Sequence, residues 1–270
     1  MTKPKPKTVA ERALACLDLT NLEDGCSPAD IVRLCGRAQT DHGPVAAVCI
    51  WPRFVPQAKE LLEETLTKIA AVVNFPAGDS PPAWVVGETR NAVSDGADEI
   101  DMVIPWRLLR NDPDEVGRQI DRVRKAAKDR ILKTILETGE LKSEAAIRKA
   151  TEIAISAGAD FVKTSTGKVK VNATPKAASA MLEVIREHGG KTGFKAAGGV
   201  RSLDDAATYL GLADDILGKD WARPGTFRFG ASGLLDALLA VLEGRTKGPP
   251  AQKSAGSKTA RKSGRTGKEY

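Results

Sequence analysis

The sequence predicts an α/β fold, a single (β/α)₈ barrel of the TIM type with an extra N-terminal helix and a flexible basic C-terminal tail. Three observations predict it. Short, almost wholly apolar runs recur along the chain, as strands buried on both faces require. Helical patterns stand between them, and strands alternating with helices form parallel sheets. No G-x-G-x-x-G turn follows the first of these runs, which argues against an open, doubly wound sheet.

Taken in order, residues 1–7 (MTKPKPK) read as disordered. Residues 8–19 have Val9, Ala13, Leu14 and Leu17 at helical spacing, giving a helix that ends near Asp18-Leu19-Thr20. Ser27 is an N-cap, with Pro28 at the first helical position and Asp30 in the first turn. The first predicted strand is 45–51, followed by a helix over 56–66. Strand two is 69–75, with a helix from Pro82 to about Asp95. Strand three is 99–104, with an acid-started helix from Pro113 to Lys128. Strand four is 131–137, and its helix starts after Ser143 and ends at Ala157-Gly158. Strand five is 161–165, and Thr174 with Pro175 opens the next helix. Strand six is 193–197, before the capping-box-like start Ser202-Leu203-Asp204-Asp205. DDILG (214–218) is a short strand seven. FRFGAS (227–232) is strand eight, before LLDALLAVLEG.

With 270 residues, 41% of them hydrophobic, the chain can fill the core of one large α/β domain, placed at 8–244. The net charge of +6 belongs to the ends. Residues 245–270 carry +7 and residues 1–7 carry +3, leaving −4 on the body. The tail, rich in Gly, Ser, Lys and Pro, reads as solvated, and nucleic acid is not an expected partner. Four cysteines at 16, 26, 35 and 49 show no C-x-x-C spacing, which suggests free thiols in a reducing, cytoplasmic setting. No apolar run would span a membrane, and the Lys/Pro-rich start lacks the apolar centre of a signal peptide. The two histidines sit at a turn (His42) and a helix end (His188), so a histidine triad or zinc site is not expected, and the chemistry falls to Lys and Asp.

The stretch GADFVKTSTGK (158–168) organises this chemistry. A lysine within a buried strand needs a partner or a task, and a desolvated amine beside a second cation suits nucleophilic attack on a carbonyl. By the alternation of strand side chains, Glu99 and Asp101, Lys133, Lys163 and Lys195 all face inward. Their strand ends are where barrels of this kind carry out chemistry. Lys133 reads as an orienting ion paired with Asp101 or Glu137, and Cys49 as a small buried hydrophobe. Trp51 and Trp106 could wall a substrate or simply pack at the rim. Gly167-Lys168, Gly198-Gly199-Val200-Arg201 and Gly230-Ala231-Ser232-Gly233 form three glycine turns on the same rim, and bare N–H groups at such turns cradle phosphate.

The runs FVKTSTGK, VNATP, GFKAAGGVR, EIDMVIP, ETGEL, NFPAG and RFGAS resemble the deoxyribose-phosphate aldolase family of class I, Schiff-base aldolases; the similarity spans roughly residues 10–242, with the runs in the same order along the chain. The resemblance implies reversible cleavage of 2-deoxy-D-ribose 5-phosphate to acetaldehyde and D-glyceraldehyde 3-phosphate, in deoxyribose phosphate catabolism, with no metal or other cofactor. It implies Lys163 as the Schiff-base lysine, Lys195 as the neighbour that depresses its pKa, Asp101 as the proton carrier, and Asp18 as an acidic support of Lys195. It places the phosphate on Gly167, Lys168, Gly198, Gly199, Arg201, Gly230 and Ser232. It further implies a homodimer or larger assembly, and a role for a terminal tyrosine, here Tyr270, folding over the site. Two positions depart from the family pattern: Ala196 where proline is frequent, and Gly233 where a second serine is. Two other functions compete: a Schiff-base aldolase or transaldolase for a different phosphosugar, and a non-catalytic barrel docking nucleic acid through its tail.

Overall fold

The structure, a computed structural model, describes residues 5–245. Eight parallel strands close a barrel in chain order: β1 (Leu17–Thr20), β2 (Ala47–Ile50), β3 (Lys68–Val73), β4 (Glu99–Val103), β5 (Ile131–Ile135), β6 (Phe161–Lys163), β7 (Gly193–Ala197) and β8 (Phe227–Ala231). Around it lie α1 (Pro6–Ala15), α2 (Pro28–Arg37), α3 (Val55–Leu61), α4 (Pro82–Ser94), α5 (Pro113–Ala127), the one-turn α6 (Thr138–Leu141), α7 (Glu144–Ser156), α8 (Pro175–Glu187), α9 (Leu203–Leu217) and α10 (Leu234–Leu242). The N-terminal helix α1 packs beside α9 and α10, outside the barrel.

Helix starts follow local chemistry. Ser27 and Ser202 form capping boxes with Asp30 and Asp205, while Asp112, Ser143 and Thr174 each cap with one side-chain acceptor. Proline, which cannot donate and has its φ pre-set, opens α1, α2, α4, α5 and α8.

Two strand assignments need correction. Leu17–Thr20 is the first barrel strand, not the end of the N-terminal helix, which stops at Ala15. The alternation Leu17 out, Asp18 in, Leu19 out has period two. Over four residues it passes for a helical turn, because Leu17 also continues the spacing of Ala13 and Leu14. DDILG is not a strand: Asp214–Leu217 is the last turn of α9, ended at Gly218 with φ 98°. The strand count is eight either way. Helical order also reaches back to Pro6, two residues into the stretch expected to lack it. Residues 246–270, with the basic tail and Tyr270, lie outside the described residues.

The apolar residues sort into two clusters. The larger joins the outward strand faces to the helices. A small one, Leu22, Ala47, Cys49, Ala70 and Val72, packs against Trp51 and Phe75. It is the inner wall contributed by β2 and β3, and the inner faces of β4 to β8 are charged.

Candidate active site

The register sets the charged side at one height. In adjacent parallel strands Asp101 pairs with Lys133, Lys163 with Lys195, and Lys195 with Arg228. All project into the barrel, and Asp18 arrives from β1. The side chains of Asp18, Lys133 and Lys195 are fully buried, and Lys163 is 2% exposed.

Asp101 is the hub. Its Oδ2 accepts from Lys163 Nζ and from Lys195 Nζ, each at 2.8 Å, and its Oδ1 accepts from Lys133 Nζ at 2.8 Å. Lys195 Nζ also donates to Asp18 Oδ2 at 2.5 Å. From β8 Arg228 donates to Asp18 Oδ1 at 2.7 Å and grips both oxygens of Glu99, at 2.8 and 3.1 Å. Lys133 touches Glu99 as well and lies 3.5 Å from Asp18. Four cations thus face three carboxylates.

Burial alone would neutralise these groups, but opposite charges outweigh it. Asp101 is held well below the usual carboxylate range, because Lys133, Lys163 and Lys195 overcome its desolvation. Asp18 is lowered in the same way by Lys195, Arg228 and Lys133. Burial works against the ammonium of Lys195, yet Asp101 and Asp18 raise it above the ordinary lysine value. Lys133 is raised by Asp101, Glu99 and Asp18. Lys195 and Lys133 are therefore fixed cations. Lys163 differs in its contacts, having one carboxylate partner where Lys195 has two and Lys133 three.

Lys133 pairs with Asp101 as expected, but Glu99 is its other close partner and Glu137 is not. The Glu137 carboxylate lies past the end of β5 and accepts from Thr166. Cys49 lines the centre: its Sγ stands 3.8 Å from Asp101 Oδ2. Trp51 packs edge-on to Phe75 with centroids 5.4 Å apart, at the rim of the apolar wall. Both histidines lie away from the site. His188 caps α8 through Val184 O, and His42 sits in an exposed loop.

The three glycine turns follow β6, β7 and β8, which are neighbours, so Gly167, Lys168, Gly198, Gly199, Arg201, Gly230 and Ser232 share one sector of the rim. Their parts differ. The N–H groups of Gly198, Gly199, Val200, Ser232 and Gly233 donate to no acceptor among the described residues. Gly167 N–H instead donates to Asn172 Oδ1 at 3.0 Å, and Lys168 N–H to Thr166 Oγ1 at 3.1 Å. Arg201 N–H is held by Asp205. Gly198 is obligatory: at φ 82° a side chain is strained, and a Cβ would lie 2.6 Å from Asn172 Cβ. Lys168 Nζ stands 3.6 Å from Asp24, in the loop after β1.

Sequence reasoning passed over Arg228. The signal was there: in Phe227-Arg228-Phe229 two aromatics face the helices, and period two turns the residue between them inward. Among the described residues there is no cluster of three or more His, Cys, Asp or Glu that could hold a metal ion, and no helix long and apolar enough to cross a membrane.

Comparison with known proteins matches this geometry. The sequence profile described as DeoC/LacD family aldolase matches residues 13–238. A deoxyribose-phosphate aldolase of Agrobacterium fabrum (strain C58) is 54% identical over 259 residues, covering 95% of this chain and 99% of the relative. Among solved structures, a candidate deoxyribose-phosphate aldolase from Toxoplasma gondii ME49 superposes with a TM-score of 0.81 at 28% identity, covering 88% of this chain and 97% of the other. A tetrameric deoxyribose phosphate aldolase from Aeropyrum pernix gives a TM-score of 0.72 at 26% identity, covering 88% and 92%.

Proposed function

This chain belongs to the DeoC/LacD family of aldolases, and we propose that it is a deoxyribose-phosphate aldolase, a metal-independent lyase that cleaves 2-deoxy-D-ribose 5-phosphate reversibly to acetaldehyde and D-glyceraldehyde 3-phosphate. The observation that carries the reading is the place of Lys163 in the barrel centre. It is buried beside a second lysine on the same Asp101 oxygen, and of the four cations there it has the fewest carboxylate partners.

In this reading the Lys163 amine adds to the C1 aldehyde of the open-chain sugar and loses water to give an iminium. The C3 hydroxyl gives up its proton, the C2–C3 bond breaks, and its electron pair moves into the iminium as an enamine. C3 leaves as the aldehyde of glyceraldehyde 3-phosphate. Protonation of the enamine at C2 and hydrolysis release acetaldehyde and restore Lys163. Asp101, pinned as a carboxylate by three lysines, serves with the Lys195 ammonium to orient a proton-carrying water rather than as a free acid. Asp18 holds Lys195, and Lys133 holds Asp101.

The remaining features fit these substrates. The inner wall of Ala47, Cys49, Ala70 and Val72 suits a methyl group. A keto-acid donor would need a free cation for its carboxylate, and Arg228, the added arginine of the interior, is saturated by Asp18 and Glu99. This weighs against the competing aldolase reading. The open N–H groups after β7 and β8, with Lys168 nearby, form the phosphate cradle. A cytoplasmic homo-oligomer accords with four buried free cysteines and with the tetrameric relative.

The test is borohydride reduction in the presence of acetaldehyde, followed by peptide mass spectrometry of the wild type and Lys163→Met. One reduced acetaldehyde on the peptide holding Lys163, absent from the variant, is expected. A folded wild type with no adduct there would overturn the mechanism.

A further inference from the structure

We propose that Glu137 is a positioning residue that makes the site selective for a phosphorylated substrate, by holding the Thr166-Gly167-Lys168 turn in place; this rests on the aldolase reading above. The carboxylate of Glu137 is 1% exposed, yet it touches none of the lysines or arginines that saturate the other interior carboxylates. Both of its oxygens go to one residue. Oε2 accepts from the Thr166 hydroxyl at 2.6 Å and Oε1 from the Thr166 N–H at 3.3 Å. The Thr166 oxygen in turn accepts from Lys168 N–H at 3.1 Å. A single carboxylate therefore sets the start of the turn that carries Lys168, two residues beyond Thr166, to the phosphate sector of the rim.

The backbone reinforces the assignment. Glu137 sits at φ 57° and ψ 57°, a left-handed conformation that a residue with a Cβ adopts at a cost and that only a local contact stabilises. That conformation turns the chain from β5 into α6 and aims the side chain across at β6. The two loops touch directly as well: Leu136 N–H donates to Lys163 O, Thr138 N–H donates to Thr164 O, and Gly139 packs so closely on Val171 that a Cβ would lie 1.9 Å from its carbonyl oxygen. Asn172, which takes the Gly167 N–H and fills the space over Gly198, closes the same brace from the far end of the loop. Burial raises the carboxyl of Glu137, while the bonds from Thr166 and the charge of Lys163 act the other way.

The chemistry explains the residue type. An N–H and an O–H, both donors, converge on one side chain, and a carboxylate offers two acceptor oxygens where an amide offers one. Glu137→Gln keeps the volume and one acceptor.

The experiment measures kcat and KM for 2-deoxyribose 5-phosphate and for unphosphorylated 2-deoxyribose in the wild type, Glu137→Gln, Thr166→Val and the double variant. Borohydride trapping of acetaldehyde is run on each. For both single variants the expected result is a KM for the phosphate ester raised about tenfold or more, with kcat within about threefold. The preference for the phosphorylated sugar falls in proportion. The double variant is no worse than either single one, because both substitutions cut the same link. Trapping on Lys163 is unchanged, which separates loss of this link from loss of the Schiff-base reading. An unchanged preference for the phosphorylated sugar, or equal loss of kcat on both sugars, would overturn the assignment. If Glu137→Gln does not fold, Thr166→Val alone decides it by the same KM criterion.

Discussion

Lys163 and Lys195 donate to the same oxygen, Oδ2 of Asp101, each at 2.8 Å. Two ammonium groups on one oxygen stand within twice that distance of each other, and Lys195 cannot move away because Asp18 holds it from behind at 2.5 Å. Replacing Lys195 with Leu leaves Lys163 as the sole cation on Asp101 Oδ2, in a tight ion pair that immobilises its amine. The acetaldehyde trapping rate at neutral pH is expected to fall on the order of 100-fold, the scale of losing a positioned proton-transfer group. A rate within threefold of wild type would show that Lys195 does not act on Lys163.

Arg228 braces this arrangement from β8. It carries three charge-assisted hydrogen bonds to Asp18 and Glu99, and its ring-facing side lies 5.6 Å from the centroid of Phe161. Arg228→Met has nearly the right volume but leaves two buried carboxylates short of a cation. Breaking one side of a buried ion pair costs about 3–5 kcal/mol. Urea denaturation is expected to show a loss of that size with an unchanged m value, and Arg228→Lys should recover only part of it, since an ammonium cannot span both carboxylates as a fork does. Equal midpoints for Met and wild type would show that Lys133 and Lys195 suffice.

Much of this was legible in the chain. Strands such as Ile69–Val73 are apolar throughout because both faces are covered, and a lysine or aspartate within such a run is conspicuous. That is how Asp101, Lys133, Lys163 and Lys195 were readable as one site. Asp18 was named only by resemblance, because Leu17-Asp18-Leu19 is too short for its period to be distinguished from a helix. Arg228 and Glu99 pair across the barrel, between the fourth and eighth strands, and no local pattern encodes which inward charges meet. The role of Glu137 depends on a left-handed backbone that Leu-Glu-Thr-Gly does not announce, since glycine is the usual sign of one and it comes two residues later.

Stability should be flat across neutral pH and fall on both sides for different reasons. Asp18 and Asp101 are depressed in the folded state by their lysine and arginine partners. Their contribution is complete above the unfolded value of about 3.9 and is lost as pH falls through the lower folded values. The buried thiols act oppositely. Burial pushes Cys16 up to about 12 and Cys35 to about 11. Folding keeps their protons, so the contribution is complete below the unfolded thiol value of about 8.5 and is lost as pH rises toward the folded values. Glu137, raised by burial, adds stability on moving from pH 7 toward 5. Thermal melts are expected to be level or slightly higher at pH 5 than at pH 7 and to decline above about pH 8.5, with a shallower decline in Cys16→Ala or Cys35→Ala. A melting temperature already falling between pH 7 and 5 would contradict the assigned shifts.

The lowest layer of the barrel is closed by an aromatic ring over a glycine. Phe161 and Gly193 are register partners on β6 and β7, and a Cβ on Gly193 would lie 2.4 Å from the Phe161 ring. Side chains of this layer stand below Lys163 and Lys195, so the ring is the apolar base on which the charged centre rests. Gly193→Ala must displace the ring, since neither strand can retreat from a closed barrel. A displaced ring presses on Arg228, whose guanidinium lies 5.6 Å from its centroid. Overpacking of this kind costs about 1–3 kcal/mol. It should also disturb the Arg228 bonds to Glu99 and Asp18, so the denaturation midpoint and the trapping rate at Lys163 are expected to fall together. Phe161→Leu in the same background frees the space the new methyl needs and should restore part of both. If Gly193→Ala lowers stability and Phe161→Leu does not relieve it, the clash is not with the ring, and the tight base of the barrel is not what supports the lysine pair.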